Sequence, residues 1–241
     1  MAAAKSFKVL FIIAVTIYVS HLTAQELLSR NSFGIQGTFS PDSSHILIGR
    51  ADQRRTWTAG FEYGRTVLSR SSVRLDYEGS ITPFFQERDP TITGAYFMLN
   101  GYPQSVAVPT GRVLDTGGTP IGYVLIGGPP IPIYGTYSSK KSYAFAVSPL
   151  GARISGFNSH KIQPTFSADL GVVFSSRDLP IDDSAKFNYL VSFGPGIEFF
   201  YRPNESVRLE YLYRHMSNAG SGESNPGVDQ GVFRLTLSRR R

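Results

Sequence analysis

"VRLEYLYRHMS", residues 207–217, decides the fold. Taken two at a time, Val207, Leu209, Tyr211 and Tyr213 share one face, and Arg208, Glu210 and Arg214 share the other. A period of two is the signature of a strand. Soluble sandwiches alternate too, so the period alone settles little. The informative features are a run longer than the usual strand of about five or six residues and ionised groups in its middle. A strand that turns its apolar face to lipid and its charged face to a side-chain-filled lumen reads this way.

The pattern recurs in both directions along the chain. In "TWTAGFEYGRTVL" (56–68), Trp57, Ala59, Phe61, Tyr63 and Val67 oppose Thr58, Glu62 and Thr66. In "SVRLDYEGSITPFF" (72–85), Val73, Leu75, Tyr77 and Ile81 oppose Arg74, Asp76, Glu78 and Thr82. "KIQPTFSADLGVVF" (161–174) sets Ile162, Phe166, Leu170 and Val172 against Gln163, Thr165, Ser167 and Asp169, and "GVFRLTLS" (231–238) continues the series. Acids and bases on the polar faces nearly balance, as side chains pairing inside a narrow barrel require. Aromatics make up 13% of residues and charged residues 17%, with 24 glycines and no cysteine. That composition favours an all-β protein and excludes a disulfide framework.

Strands are expected at 32–52 (broken near "SPDSS"), 56–68, 72–86, 143–155, 162–175, 187–201, 206–217 and 229–238. The fold class is therefore all-β, an eight-stranded antiparallel transmembrane barrel of the outer membrane, with both termini on the periplasmic side. "MAAAKSFKVLFIIAVTIYVSHLTAQE" has Lys5 and Lys8, an apolar run from Val9 to Val19 and Ala24 before Gln25, the layout of a secretory signal peptide. Residues 1–24 are expected to be that signal and 25–241 a single barrel domain. Removing the two lysines lowers the formal charge from +6 to +4. "LSRSSV", "SGFNSHK" and "YRPNESV" read as short periplasmic turns. The Gly/Pro-rich stretch 87–142 reads as a long extracellular loop that could form a hairpin over the barrel mouth, a lid on a substrate or a surface loop with no specific role, with 176–186 and 218–228 as shorter loops.

Extending the lipid-facing set of 207–213 reaches His215 and then Ser217. On the last strand, counting back from Phe233 gives Gly231 and then Asp229. Three polar residues thus fall on the apolar face at the extracellular end of two adjacent strands, a costly place for an ionisable group. Residues two apart on a strand lie about 6.6 Å apart, so an imidazole can reach the serine hydroxyl. Serine as nucleophile, histidine as base and the carboxylate as its orienting partner is one reading. The loop after Ser217 offers backbone amides and the Asn218 side chain for an oxyanion hole. A polar turn at a barrel rim is the other reading, and spacing alone leaves both open. His45 and His160 are assigned to periplasmic turns without comparable partners.

"YRHMSNAGSGESNPGVDQGVF" (213–233) resembles the C-terminal motif of the lipid A 3-O-deacylase (PagL) family, also called acyloxyacyl hydrolase-like: His-x-Ser-Asn, then Asn-Pro-Gly and an acid. "SPDSSHILIG", "LDYEGSITPFF", "VSPLGARISG" and "FNYLVSFGPGIEFF" are weaker echoes of the family's strand segments. The resemblance implies a cofactor-free, metal-free serine esterase of the Gram-negative outer membrane. It would remove the 3-O-linked acyl chain of lipid A, with its site toward the outer leaflet. The family's catalytic residues fall on His215, Ser217 and Asp229, and its oxyanion-hole positions on Asn218 and Gly220. Aspartate at 229 departs from the glutamate of the best-known members, and the ending "LSRRR" departs from their aromatic terminus.

Expected partners are lipid A or lipopolysaccharide and the surrounding outer-membrane lipids, with a second copy of the chain in a homodimer as an open alternative; no nucleic acid is expected. Arg54, Arg55, Lys140 and Lys141 are expected at the extracellular rim, where they could steer lipid phosphates or merely be solvated. A catalytically degenerate structural or adhesive barrel and an outer-membrane phospholipase remain the rival readings.

Overall fold

The computed structural model describes residues 31–114, 116 and 120–241; the expected signal peptide lies outside the described residues. The elements, all strands, are β1 (Asn31–Ser40), β2 (Arg55–Ser69), β3 (Val73–Leu99), β4 (Tyr102–Val106), β5 (Gly111–Arg112), β6 (Gly122–Val124), β7 (Ile131–Gly156), β8 (Ile162–Leu179), β9 (Ala185–Arg202), β10 (Glu205–Ser217) and β11 (Val228–Arg240). Every neighbour pairs antiparallel. β1 joins β11, and β3 joins β7, which closes a ring in the order β1-β2-β3-β7-β8-β9-β10-β11. Eight strands form that ring, and closure leaves it without an edge.

The alternation read from the sequence is the alternation of burial. Along β10, Arg208, Glu210, Leu212, Arg214 and Met216 are buried, while Leu209 and Tyr211 are more than half exposed. Inside, the charged residues of several strands pair across the lumen. The Arg208 guanidinium reaches Glu62 (2.5 Å), Glu210 (3.0 Å) and Glu78 (3.1 Å). Arg234 holds Glu210 and Asp169, Arg153 holds Asp76 and Glu78, and Arg74 holds Asp76 and Glu198. Toward the loop end the filling turns apolar: Ala51, Phe85, Ala146, Val173, Leu179, Leu190, Met216 and Val228 form one cluster. The lumen is a packed core, ionic in the middle and capped by an apolar layer.

Two expectations are corrected. The strand foreseen over 32–52 ends at Ser40. There Pro41 cannot donate to a ladder, and Asp42 takes the Ser43 N–H on its own carboxylate (2.9 Å), local bonds that compete with pairing. Residues 41–54 instead form a loop lying over the start of β11. Its contacts there include Ser44 N–H to Asp229 O (3.1 Å) and Ala51 N–H to Gly227 O (3.1 Å). The stretch 87–142, read as a loop with a hairpin as one of its possible forms, is in large part strand. β3 and β7 stay paired out to Phe97 and Ile133, and β4, β5 and β6 add short strands to that projecting hairpin. Thr91, Ile92, Tyr96, Tyr134 and Tyr137 are β-formers that the Gly/Pro signal obscured. Arg112 ties the hairpin back to the β8–β9 turn through Asp182 (2.9 Å) and lies 3.6 Å from Asp89.

Candidate active site

His215 and Asp229 are cross-strand partners in the β10–β11 ladder. Both occupy the outward parity of their strands, as do Tyr211, Tyr213 and Phe233. Imidazole Nδ1 lies 2.6 Å from Asp229 Oδ1. A carboxylate there accepts from Nδ1–H, so the ring's lone pair is left on Nε2. The imidazole is largely covered, with 13% of its side chain accessible, and the carboxylate is fully covered.

The cover comes from the 41–54 loop. Asp229 Oδ2 accepts the backbone N–H of Leu47 (2.7 Å) and of Ile48 (2.8 Å), while Oδ1 also accepts the Tyr213 hydroxyl (2.9 Å). With His215 Nδ1–H and the Gly49 backbone beside them, these donors surround one carboxylate on the outward face of the wall. That satisfies a charge which, bare on this wall, would be expensive. Gly49 is required beside it, because a Cβ there would sit 2.5 Å from Asp229 N and 2.8 Å from its Cγ. Gly227, at φ +65°, lets the chain turn under the ring; a Cβ would lie 2.9 Å from His215 Cε1.

Ser217 ends β10 on the same face as His215, opposite Tyr189 of β9, and is half-buried. Its hydroxyl makes no hydrogen bond among the described residues, to His215 or to any other group. Asn218 and Gly220 are near it, and the loop engages both. Asn218 Nδ2 donates to Ser224 O (2.8 Å), Asn218 N–H donates to Asn225 Oδ1 (3.1 Å), and Gly220 N–H donates to Asn218 Oδ1 (2.8 Å). Ala219 and Gly220 both have positive φ (52° and 83°), which presents the intervening amides around a tight turn. The Ala219 N–H is uncommitted among the described residues.

His45 belongs to the 41–54 loop, at the same end as His215, and so not to a periplasmic turn. Its Nδ1 lies 2.8 Å from Gly49 O and its Nε2 3.1 Å from Asp52. Arg54 is not at the rim either. It is fully buried, its guanidinium on the carbonyls of Asp52, Leu114, Val113 and Pro180 and 3.9 Å from Asp89. Burial pushes its pKa below the ordinary arginine value despite Glu87 and Asp89 nearby. Arg55, Lys140 and Lys141 are exposed as expected. The Leu47 and Ile48 amides and the Tyr213 hydroxyl were not foreseen. Backbone donors carry no sequence signal, and Tyr213 read as one more lipid-facing aromatic.

A closed barrel with an apolar exterior and an ionic lumen is a transmembrane barrel of the outer membrane, here with an imidazole–carboxylate pair at the loop end of β10 and β11. The family profile of lipid A 3-O-deacylase (PagL) matches residues 72–238, and the chain belongs to that family. Among solved structures, that of the outer membrane enzyme PagL is 13% identical, covering 86% of this chain and 98% of its own, with a TM-score of 0.49. Neisserial surface protein A is 10% identical over 87% of this chain and 96% of its own, at 0.41. The outer membrane protein OprG from Pseudomonas aeruginosa is 9% identical over 88% and 95%, at 0.42. No curated protein sequence matches the chain.

Proposed function

We propose that the protein is a serine esterase that hydrolyses the 3-O-linked acyl chain of lipid A in the outer leaflet. The carrying observation is the His215 Nδ1–Asp229 Oδ1 contact of 2.6 Å on the outward face of β10 and β11, two residues from Ser217. Family membership supports lipid A as the substrate. A membrane lipid reaches an outward site by lateral diffusion, without leaving the leaflet.

In the first step Ser217 Oγ attacks the ester carbonyl while His215 Nε2 takes the hydroxyl proton. Asp229, held by its other donors, keeps the imidazole in the Nδ1–H tautomer and stabilises the imidazolium. His215 then protonates the departing sugar oxygen as the ester C–O bond breaks, leaving an acyl-serine. Water, deprotonated by His215, hydrolyses that intermediate and releases the fatty acid. The tetrahedral oxyanion would be met by the uncommitted Ala219 N–H, joined by the amides of Asn218 and Gly220, the positions of the family pattern, once these leave Asn225 Oδ1 and Asn218 Oδ1. The Ser217 rotamer joins the imidazole when substrate is seated, since hydrogen bonds of this kind tighten in the complex.

Mass spectrometry of lipid A and phospholipids from Gram-negative cells with and without the protein tests this. Loss of one 3-hydroxyacyl chain from lipid A alone is expected. Cleaved phospholipid with intact lipid A would indicate a phospholipase instead, and no change in either would indicate a degenerate barrel.

A further inference from the structure

The outward face of β2, β3 and β7 changes character in one step. Trp57, Gln86 and Tyr143 are cross-strand neighbours in register, and the two aromatics are about half exposed (49% and 50%). The next row toward the loop end is Arg55, Arg88 and Lys141, again in register across the same three strands. All three are exposed, while their chain neighbours Thr56, Glu87, Asp89 and Ser142 are buried on the inner face.

Opposed side chains in an antiparallel pair have Cβ atoms about 4.5–5.5 Å apart, so three cations share a strip about 10 Å wide. Like charges directly opposite one another destabilise a sheet. No carboxylate on these strands relieves them: Glu87 and Asp89 point inward, where Asp89 faces Arg54, Arg112 and Ser142. Among the described residues none of the three side chains makes an ion pair or a hydrogen bond. An anion lying along the row would remove the repulsion and use the idle donors.

The height of the row names the source of that anion. Aromatic residues mark the membrane interface of a barrel, and cations one row beyond them stand at the level of lipid headgroups. The row also continues the lipid-facing wall of Trp57, Phe84 and Phe145, so acyl chains below it would have an apolar surface to lie on. Three cations in a line suit a headgroup with more than one phosphate better than a single charge.

We propose that Arg55, Arg88 and Lys141 form a docking row for the phosphates of a multiply phosphorylated outer-leaflet glycolipid of the lipid A class. In the ring, β3 is four strands from β10 by either route. The docked lipid is therefore a different molecule from any lipid at His215 and Ser217, and the row functions whether or not that site is catalytic.

Native mass spectrometry of the full barrel carrying Ser217→Ala, titrated with bis-phosphorylated lipid A, tests the row. Lipid A should be retained at low salt and lost as salt rises. The Arg55→Gln/Arg88→Gln/Lys141→Gln triple variant should retain it at least about tenfold less well. Arg88→Gln alone should show part of that loss, and Arg88→Lys should restore most of it. Arg65→Gln/Arg70→Gln/Lys161→Gln, which removes equal charge at the opposite end, should retain lipid A as the parent does. Dephosphorylated lipid A, phosphatidylglycerol and inorganic phosphate should all bind more weakly to the parent than lipid A does. Undiminished retention by a folded triple variant would overturn the proposal. So would equal binding of any of those three competitors.

Discussion

In the proposed mechanism Asp229 orients the imidazole, and its surroundings suit the short side chain of aspartate. The backbone amides of Leu47 and Ile48 come to within 2.7 and 2.8 Å of Oδ2, so the short side chain meets donors brought down to it. Asp229→Glu would add a methylene against Gly49 and the 47–48 amides, where even a Cβ has no room. It should lower kcat with the barrel still folded, as measured by the rate of fatty acid release. Asp229→Ala removes the tautomer lock and the counter-charge and should cost about 10⁴-fold, as in comparable triads. Tyr213→Phe leaves His215 as the only side-chain donor on Oδ1 and should reduce kcat less than any change at Asp229. Parity in the sequence put His215, Ser217 and Asp229 on one face, and in the ladder the three share one parity of β10 and β11. The donors gathered on that carboxylate were not legible, since those of Leu47 and Ile48 are peptide N–H groups from a loop 182 and 181 positions away in the chain.

The 41–54 loop covers the candidate site; the sequence reading, a strand over 32–52 broken near "SPDSS", took its second half, with the apolar "HILIG", for strand. Ile46, Leu47 and Ile48 are in fact among the exposed large apolar side chains, while their backbone serves Asp229. Backbone and side chain can therefore be separated by substitution. Ile48→Pro removes one amide donor, whereas Ile48→Ala keeps it. Steady-state kinetics should show kcat falling at least about tenfold for the proline variant, from the charge-assisted bond lost, with alanine near wild type. Equal kcat in both would mean that the loop amides do not position the acid. Strand boundaries elsewhere were legible to within a few residues, because a period of two survives wherever one face meets lipid. It failed over 87–142, where β3 and β7 rise out of the barrel and β4 to β6 join them. There no lipid face imposes the pattern, and glycine and proline dominated the reading.

At the scale of the whole molecule, two opposite solvents set the two faces of the ring. Leu209 is 57% exposed on the outer wall, and an arginine there should cost about 2–4 kcal/mol near the midplane. Glu210 faces inward with its carboxylate shared between Arg208 and Arg234, so Glu210→Gln leaves two guanidiniums short of a counter-charge. Breaking a buried pair from one side costs about 3–5 kcal/mol, which should appear as a lower midpoint of heat-induced mobility shift on gels. The inward charges were visible in the sequence. Their partners were not, because strands far apart in the chain meet only when the ring closes between β1 and β11. In the proposed function, the barrel holds the His215–Asp229 pair within reach of a lipid substrate. The most direct measurement is the mass of lipid A after incubation with purified, folded wild-type protein and with Ser217→Ala. Wild type should yield lipid A lighter by one 3-hydroxyacyl chain, with the matching free fatty acid, and Ser217→Ala should leave it intact. Equal release by the two proteins would contradict the assignment of Ser217 as nucleophile and, with it, the site at the β10–β11 rim.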